Sequence, residues 1–255
     1  MTKGTVRALA MALATMATAR AWASAPGLHA VRYVMGTWCD LVIFDPAPDS
    51  DAAQLAFREM ARLENVLSSW DPASEVSRLN AKAGRGPQPV SVDLATVAEE
   101  SVALCTTTGG AFDPSVAPVL RAWGFFTESP AMPAPAANRA AASHVGCDRV
   151  SVDRHSWSIA LADGAAVDFG GIGKGYAVDR MVEILKRKGV KAALVAGSGS
   201  SIYGLGAPPN EPRGWRVEIK NPWDTSKTST EVFLKDMSMS TSGSYEKFFR
   251  AEGKT

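Results

Sequence analysis

The 255-residue chain sets 27 Lys and Arg against 26 Asp and Glu, and 46% of it is hydrophobic, enough apolar mass for one large domain or two small ones. Three of the basic residues, Lys3, Arg7 and Arg20, fall in the first 23 positions, which leaves 24 basic against 26 acidic residues behind them. That near-neutral balance argues against a non-specific nucleic-acid binder.

In chain order, Lys3 and Arg7 precede an apolar run, Ala8 to Ala19, and a small-x-small site at Ala21-Trp22-Ala23. This reads as a secretory signal at residues 1–23, cleaved after Ala23; an amphipathic or buried first helix is the alternative. The run is too short for a permanent span. No Cys lies at the cleavage point, so no lipid anchor is expected, and no later stretch looks transmembrane. The expectation is a soluble periplasmic protein whose working domain is residues 24–255.

Behind the signal, His29 to Val34 and Trp38 to Phe44 read as strands on either side of Met35-Gly36-Thr37. Asp49 or Ser50 can cap a helix over Asp51 to Ser68, where apolar residues recur at helical spacing until Trp70-Asp71-Pro72. A second helix is expected over Asp93 to Thr107, stopped by Gly109-Gly110, and Glu128 to Ala142 reads as a surface loop or weak helix. Strands then follow at Val150 to Val152, Ser156 to Leu161 and Ala166 to Asp168, with a hairpin-type turn at Asp163-Gly164. The link Gly170 to Gly175 opens a helix running to about Lys188. Strands are expected at Ala192 to Ala196, near Ile202, and at Trp215 to Ile219, Val232 to Leu234 and Met237 to Ser240. Runs of strands mixed with a few helices indicate an α+β fold with a mixed sheet and packed helices.

The segment with most chemical content is Asp168-Phe-Gly-Gly-Ile-Gly-Lys-Gly-Tyr176. It places a carboxylate at a strand end, glycines where backbone can approach a ligand, and Lys174 at the start of a helix, whose free amides suit phosphate oxygens. A strand-to-helix turn whose glycines merely relieve strain explains the local features equally well. A P-loop is excluded, because Asp168 and Gly175 stand where it needs Gly and Ser or Thr. The dinucleotide fingerprint fails on the spacing of Gly171, Gly173 and Gly175, and Gly197-Ser-Gly-Ser-Ser-Ile202 lacks its third Gly and leads into a strand. Ser68-Ser-Trp-Asp-Pro72, Ala111-Phe-Asp-Pro-Ser115 and Ser240-Thr-Ser-Gly-Ser-Tyr245 each have turn chemistry with a possible ligand contact. Cys39, Cys105 and Cys147 lack metal-site spacing, so they are buried thiols or one disulfide with a leftover thiol. His29, His144 and His155 are scattered and give no triad or metal cluster.

In order, Met35-Gly-Thr37, Ser69-Trp-Asp-Pro-x-Ser-Glu-Val-Ser-x-Leu-Asn80, Gly110-Ala-Phe-Asp-Pro114 with Trp123-Gly-Phe125, Asp168 to Asp179, and Ser240-Thr-Ser-Gly-x-Tyr245 resemble the FAD:protein FMN transferases of the ApbE-like family. The resemblance covers about residues 30 to 254. It implies the family's T-fold-like architecture and an enzyme that moves FMN from FAD onto a Thr or Ser hydroxyl of an acceptor protein, releasing AMP. It further implies flavin-nucleotide contacts from Met35, Trp70, Ala111, Phe112, Asp113, Asp168 and Lys174, and a magnesium ion held in part by the Gly171 backbone carbonyl. The implied partner is a flavinylated subunit of a membrane redox complex.

Two departures qualify what the resemblance implies. Val195-Ala-Gly-Ser-Gly-Ser-Ser201 stands where relatives commonly carry Gly-Gly-Asp or Gly-Gly-Asn. Family members also continue past Gly253-Lys-Thr255 into a His-rich Ile-x-Asp-Pro segment and a helix whose Asp and Thr or Ser complete the metal site. The catalytic groups are therefore expected beyond Thr255, with the domain C-terminally incomplete relative to the family. An FAD-binding protein without transfer activity and an FAD pyrophosphatase are the alternative expectations.

Overall fold

The computed structural model describes residues 27–44, 50–127, 130–197, 199–224 and 226–242. The expected signal segment, Asp49 and the Gly243–Tyr245 end of the last motif lie outside the described residues. In chain order the elements are β1 (Leu28–Val34), β2 (Thr37–Ile43), α1 (Ser50–Leu67), α2 (Glu75–Asn80), β3 (Gln88–Pro89), α3 (Val92–Thr107), α4 (Ala117–Ala122), α5 (Pro135–Ala142), β4 (Val150–Asp153), β5 (Ser158–Leu161), α6 (Gly173–Arg187), β6 (Ala193–Gly197), β7 (Ser201–Leu205), β8 (Trp215–Lys220), β9 (Thr228–Leu234) and β10 (Met237–Ser240). The fold is α+β, and the strand pairings among the described residues are antiparallel. No helix among them is long and apolar enough to cross a membrane.

The described residues divide into two compact units, one of residues up to 57 together with 181–242, the other of residues 58–180. In the first, a sheet runs in the order β1-β2-β6-β7-β10, and β8 and β9 form a separate ribbon. The β1–β2 hairpin closes on Met35 and Gly36, both at positive φ (53° and 68°), so Val34 pairs with Thr37 and every register follows from there to Leu28 opposite Ile43. Strand alternation then buries Cys39, Leu41 and Ile43 completely. The fully buried Trp215 of β8 donates its indole N–H to the Leu205 carbonyl at 2.9 Å.

In the second unit, α2 and α3 pack with the three-stranded sheet β3-β5-β4 around Val76, Leu79, Leu94, Val97, Ile159, Leu161, Val167 and Phe169. Each such side chain contributes about 1.5–3 kcal/mol on full burial. Two short helices, α2 and α4, form where no helix is expected from the sequence. Ser74 caps α2 by accepting from the Ser77 amide at 3.1 Å, and its Glu75 carboxylate accepts from the Ser91 hydroxyl at 2.7 Å, which ties α2 to the cap of α3. The 128–142 segment, open between loop and helix in the sequence, gives α5 from Pro135, a residue suited to a first helical turn. Its Asn138 accepts from the Trp123 indole at 3.0 Å. The expected strand at Ala166 to Asp168 is absent, because that backbone is hydrogen-bonded to a side chain and a loop carbonyl rather than to a neighbouring strand. Asp163-Gly164 is a turn but joins no hairpin; β4 and β5 instead pair across residues 154–157.

Of the open possibilities for the cysteines, the structure takes the disulfide: Cys105 and Cys147 are joined and Cys39 is free and buried. Burial first, and the Asp40 carboxylate second, push the Cys39 thiol up to about 12, which leaves it a poor nucleophile.

Candidate functional site

Asn80, at the end of α2, fixes the approach to the glycine segment. Its side-chain amide mimics a strand neighbour: Nδ2 donates to the Val167 carbonyl at 2.9 Å and Oδ1 accepts from the Val167 amide at 2.8 Å. The next amide, of Asp168, donates to the Pro114 carbonyl at 2.8 Å, and Phe169 is buried in the core. With both sides held, the chain turns at Asp168, whose Oδ1 accepts from the Gly170 amide at 2.9 Å. Helix α6 begins at Gly173, so Lys174 lies in its first turn, where helix amides carry partial positive charge.

Two glycines of this turn sit in tight surroundings: a Cβ at Gly170 would lie 2.9 Å from Asp168 Oδ1 and one at Gly171 would lie 3.1 Å from the Phe112 ring, whereas one at Gly173 would make ordinary contact with Leu67 at 3.4 Å. The Phe112 contact brings the Ala111–Asp113 segment onto the glycine turn. Asp113 is itself a cap, its Oδ1 accepting from the Ser115 amide at 2.8 Å and the Ser115 hydroxyl at 2.6 Å. Ala111 is exposed at the tip.

Of the residues singled out in the sequence, Phe112, Asp168, Gly171 and Lys174 therefore share one locality, with Ala111 and Asp113 in the adjoining turn. Trp70 belongs to the same unit, just past the end of α1, and is 66% exposed with its ring edge-on to Phe126 at 5.4 Å between centroids. The rest of the 69–80 motif is structural, since Ser74 caps, Val76 and Leu79 are buried, and Asn80 clamps. Met35 is half-buried in the β1–β2 turn of the other unit.

Sequence reasoning missed the charged network at the base of α6. The Tyr176 hydroxyl donates to Asp93 at 2.7 Å. Arg62 donates to the other Asp93 oxygen at 2.7 Å and to both Glu59 oxygens at 2.9 and 2.8 Å, with Arg180 3.6 Å from Glu59. Burial, and then the Asp93 carboxylate beside it, raise the Tyr176 phenol, so it stays a donor. The Arg62 hydrogen bonds hold Glu59 below the usual carboxylate range against a smaller effect of burial. At Asp93 burial pushes upward, but the bonds from Tyr176 and Arg62 together outweigh it and hold the carboxyl low. Tyr176 sits in the glycine-lysine motif, which was a signal; Asp93 and Arg62 are far from it in sequence and carried none.

Among the described residues, Asp168 is the one carboxylate of the glycine turn, beside backbone carbonyls such as that of Gly171, and a hard cation preferring six oxygens would need ligands from elsewhere. Among the described residues one trio of His, Cys, Asp or Glu is close enough to share an ion, Cys105, Asp113 and Cys147, and two of its members are joined as the disulfide. The anion-binding capacity of the turn rests on Lys174 and the first amides of α6.

Residues 35–255 match the sequence profile of the ApbE family. The chain is 31% identical to an FAD:protein FMN transferase of Treponema pallidum, over 86% of this chain and 65% of that protein, and 27% identical over the same shares to one of Klebsiella pneumoniae. It thus spans just under two thirds of these relatives' length. Its structure superposes on the ApbE protein of Thermotoga maritima with a TM-score of 0.81 at 26% identity, covering 89% of this chain and 74% of that one. The flavin transferase ApbE of Vibrio cholerae gives 0.79 at 25% identity with the same coverage.

Proposed function

The chain belongs to the ApbE family, and from that premise we propose that it is an FAD:protein FMN transferase. A Thr or Ser hydroxyl oxygen of the acceptor protein attacks the FMN phosphorus of FAD, a new phosphoester P–O bond forms, the pyrophosphate P–O bond to AMP breaks, and the hydroxyl proton is lost. The observation that carries this reading is the turn from Val167 to Gly173, clamped by Asn80 and Pro114 and lying against Phe112, with Lys174 in the first turn of the helix that follows. Phosphoryl transfer depends chiefly on positioning and charge neutralisation, which such a turn supplies.

In this reading Lys174 and the start of α6 neutralise the FAD pyrophosphate, Trp70 and Phe112 offer ring faces or edges to its flat groups, and Ala111, Asp113 and Asp168 complete the nucleotide contacts of this unit. A magnesium ion held in part by the Gly171 carbonyl would add charge neutralisation and would need further ligands besides those of the turn. The names of the relatives support an acceptor protein as partner, and we take it to be a flavinylated subunit of a membrane redox complex. Export to the periplasm, with cleavage near Ala23, agrees with the Cys105–Cys147 disulfide, a bond favoured in oxidising compartments.

The test is to incubate the chain with FAD, magnesium and an acceptor protein, and to follow acceptor mass and free AMP. The expected result is an acceptor heavier by one FMN with AMP released. FAD bound without AMP release would make this a flavin-binding protein, and FMN plus AMP formed equally without acceptor would make it an FAD pyrophosphatase.

A further inference from the structure

The turn that carries Ala111, Phe112 and Asp113 is hung from both halves of the disulfide. On one side the Gly110 amide donates to the Cys105 carbonyl at 2.9 Å, and the Phe112 amide donates at 3.1 Å to the Thr108 hydroxyl, which donates in turn to the Leu104 carbonyl at 2.8 Å. On the other side Gly146, the residue before Cys147, donates its amide to Ser115 Oγ at 2.7 Å, and that hydroxyl donates to Asp113 Oδ1 at 2.6 Å. The sulfur–sulfur bond closes this ring, joining residues 42 apart in sequence. The Asp113 carboxylate lies within 4.8 Å of both sulfurs. Access is unequal, because Cys105 is fully buried and Cys147 is half-buried.

We propose that Cys105–Cys147 is a thiol–disulfide exchange site for a dithiol reductant, and that its reduction unlocks the 108–116 turn and weakens the hold on a flavin nucleotide. The reductant's thiolate attacks Sγ of Cys147, the less buried residue of the pair. That S–S bond breaks, a mixed disulfide forms, and Cys105 leaves as a thiolate that takes a proton. The reductant's second thiolate then attacks its own sulfur in the mixed disulfide, and Cys147 leaves and is protonated. The protein disulfide has gained two electrons and two protons, and the dithiol has become a disulfide. Unlocking removes the covalent closure, so the hydrogen bonds from Gly110 and from Gly146 no longer hold the turn to one frame. The flavin consequence rests on the transferase reading; the exchange site and the loosened turn do not.

The experiment compares the full chain, oxidised and after dithiothreitol, by amide hydrogen exchange over 108–116 and 146–149 and by FAD titration with flavin fluorescence. Free thiols counted in denaturant should rise from one to three. Exchange in the turn should quicken about tenfold or more while α6 and the circular dichroism are unchanged, and the FAD Kd should rise by about the same factor as the competent turn population falls. The double variant Cys105→Ala with Cys147→Ala should start at the weaker affinity and ignore the reductant. Unchanged turn exchange at three free thiols, or loss of the whole fold on reduction, would overturn the proposal. Quickened exchange with an unchanged FAD Kd would overturn its link to the nucleotide. If the oxidised chain binds no FAD at all while the turn still loosens, the transferase reading falls and the exchange site stands.

Discussion

Two glycine-rich turns follow apolar extended runs in this chain, Asp168–Lys174 and Gly197–Ser201, and they satisfy their backbones differently. The second closes on itself and on its own sheet: Gly199 takes φ +65°, the Ser200 amide donates to the Gly197 carbonyl at 3.3 Å, and the Thr241 amide donates to the Ser200 carbonyl at 3.1 Å. It joins β6 to β7, so its amides serve a hairpin. The first is held from outside, by the Asn80 side chain and the Pro114 carbonyl, and runs into a helix, the Ile172 and Gly173 amides donating to the Phe169 carbonyl at its entry. Glycine content is therefore not what distinguishes the two turns. The external clamp and the helix that follows are.

The largest expected effect breaks that clamp. Asn80→Ala leaves the buried Val167 amide and carbonyl without partners, and at roughly 1–3 kcal/mol for each unsatisfied group the loss comes to about 2–6 kcal/mol. Urea denaturation should show a lower midpoint, and exchange should quicken at Val167 and Asp168 but not at Ser200. An unfolding free energy within about 0.5 kcal/mol of the parent, on the order of ordinary surface substitutions, would mean the turn does not depend on the external clamp.

Next comes the ligand side of the same turn. On the transferase reading, Lys174→Ala removes a charged phosphate partner from the first turn of α6, and a charge-assisted hydrogen bond of about 1.5–3 kcal/mol then corresponds to roughly 10- to 100-fold weaker FAD binding. Flavin fluorescence quenching reads this directly. Affinity unchanged by the substitution removes Lys174 from the site.

What could be read in the sequence divides along physical lines. The amphipathic helices α1 and α6, the α3 helix with its Gly109-Gly110 stop and the β1–β2 hairpin stood out because periodicity and turn chemistry are local. The Asp168–Lys174 turn stood out because its residue types are concentrated in one stretch. The role of Asn80 was hidden, since its partner lies 87 residues away and an Asn before Ala81 reads as turn chemistry. The same ambiguity made residues 166–168 look like a strand, being apolar and extended while paired to no strand. Asp113 illustrates the reverse case: its motif was legible, but its role as a cap on Ser115 became visible only in three dimensions. The Cys105–Cys147 pairing needed the fold, because spacing alone left the thiols undecided.

The smallest effect sharpens the comparison through pH. Glu59 and Asp93, held low by Arg62 and Tyr176, are fixed to the base of α6, whereas the closed turn at Gly197–Ser201 has no carboxylate among its own residues. A carboxyl whose folded value lies below its unfolded value of about 4 contributes stability that is fully present above that pH and is lost as pH falls through the folded value. Acid below about pH 4 should therefore loosen the clamped turn before the closed one, with amide exchange at Gly173 to Tyr176 quickening ahead of that at Ser200. Asp93→Asn keeps a hydrogen-bonding side chain but removes the charge, so it should lower stability at neutral pH by about 1 kcal/mol, discounted for the partial exposure of the pair, and flatten the acid dependence. If the variant keeps the parent's acid profile, the network does not anchor α6, and the order in which the two turns loosen must come from the clamp at Asn80 alone.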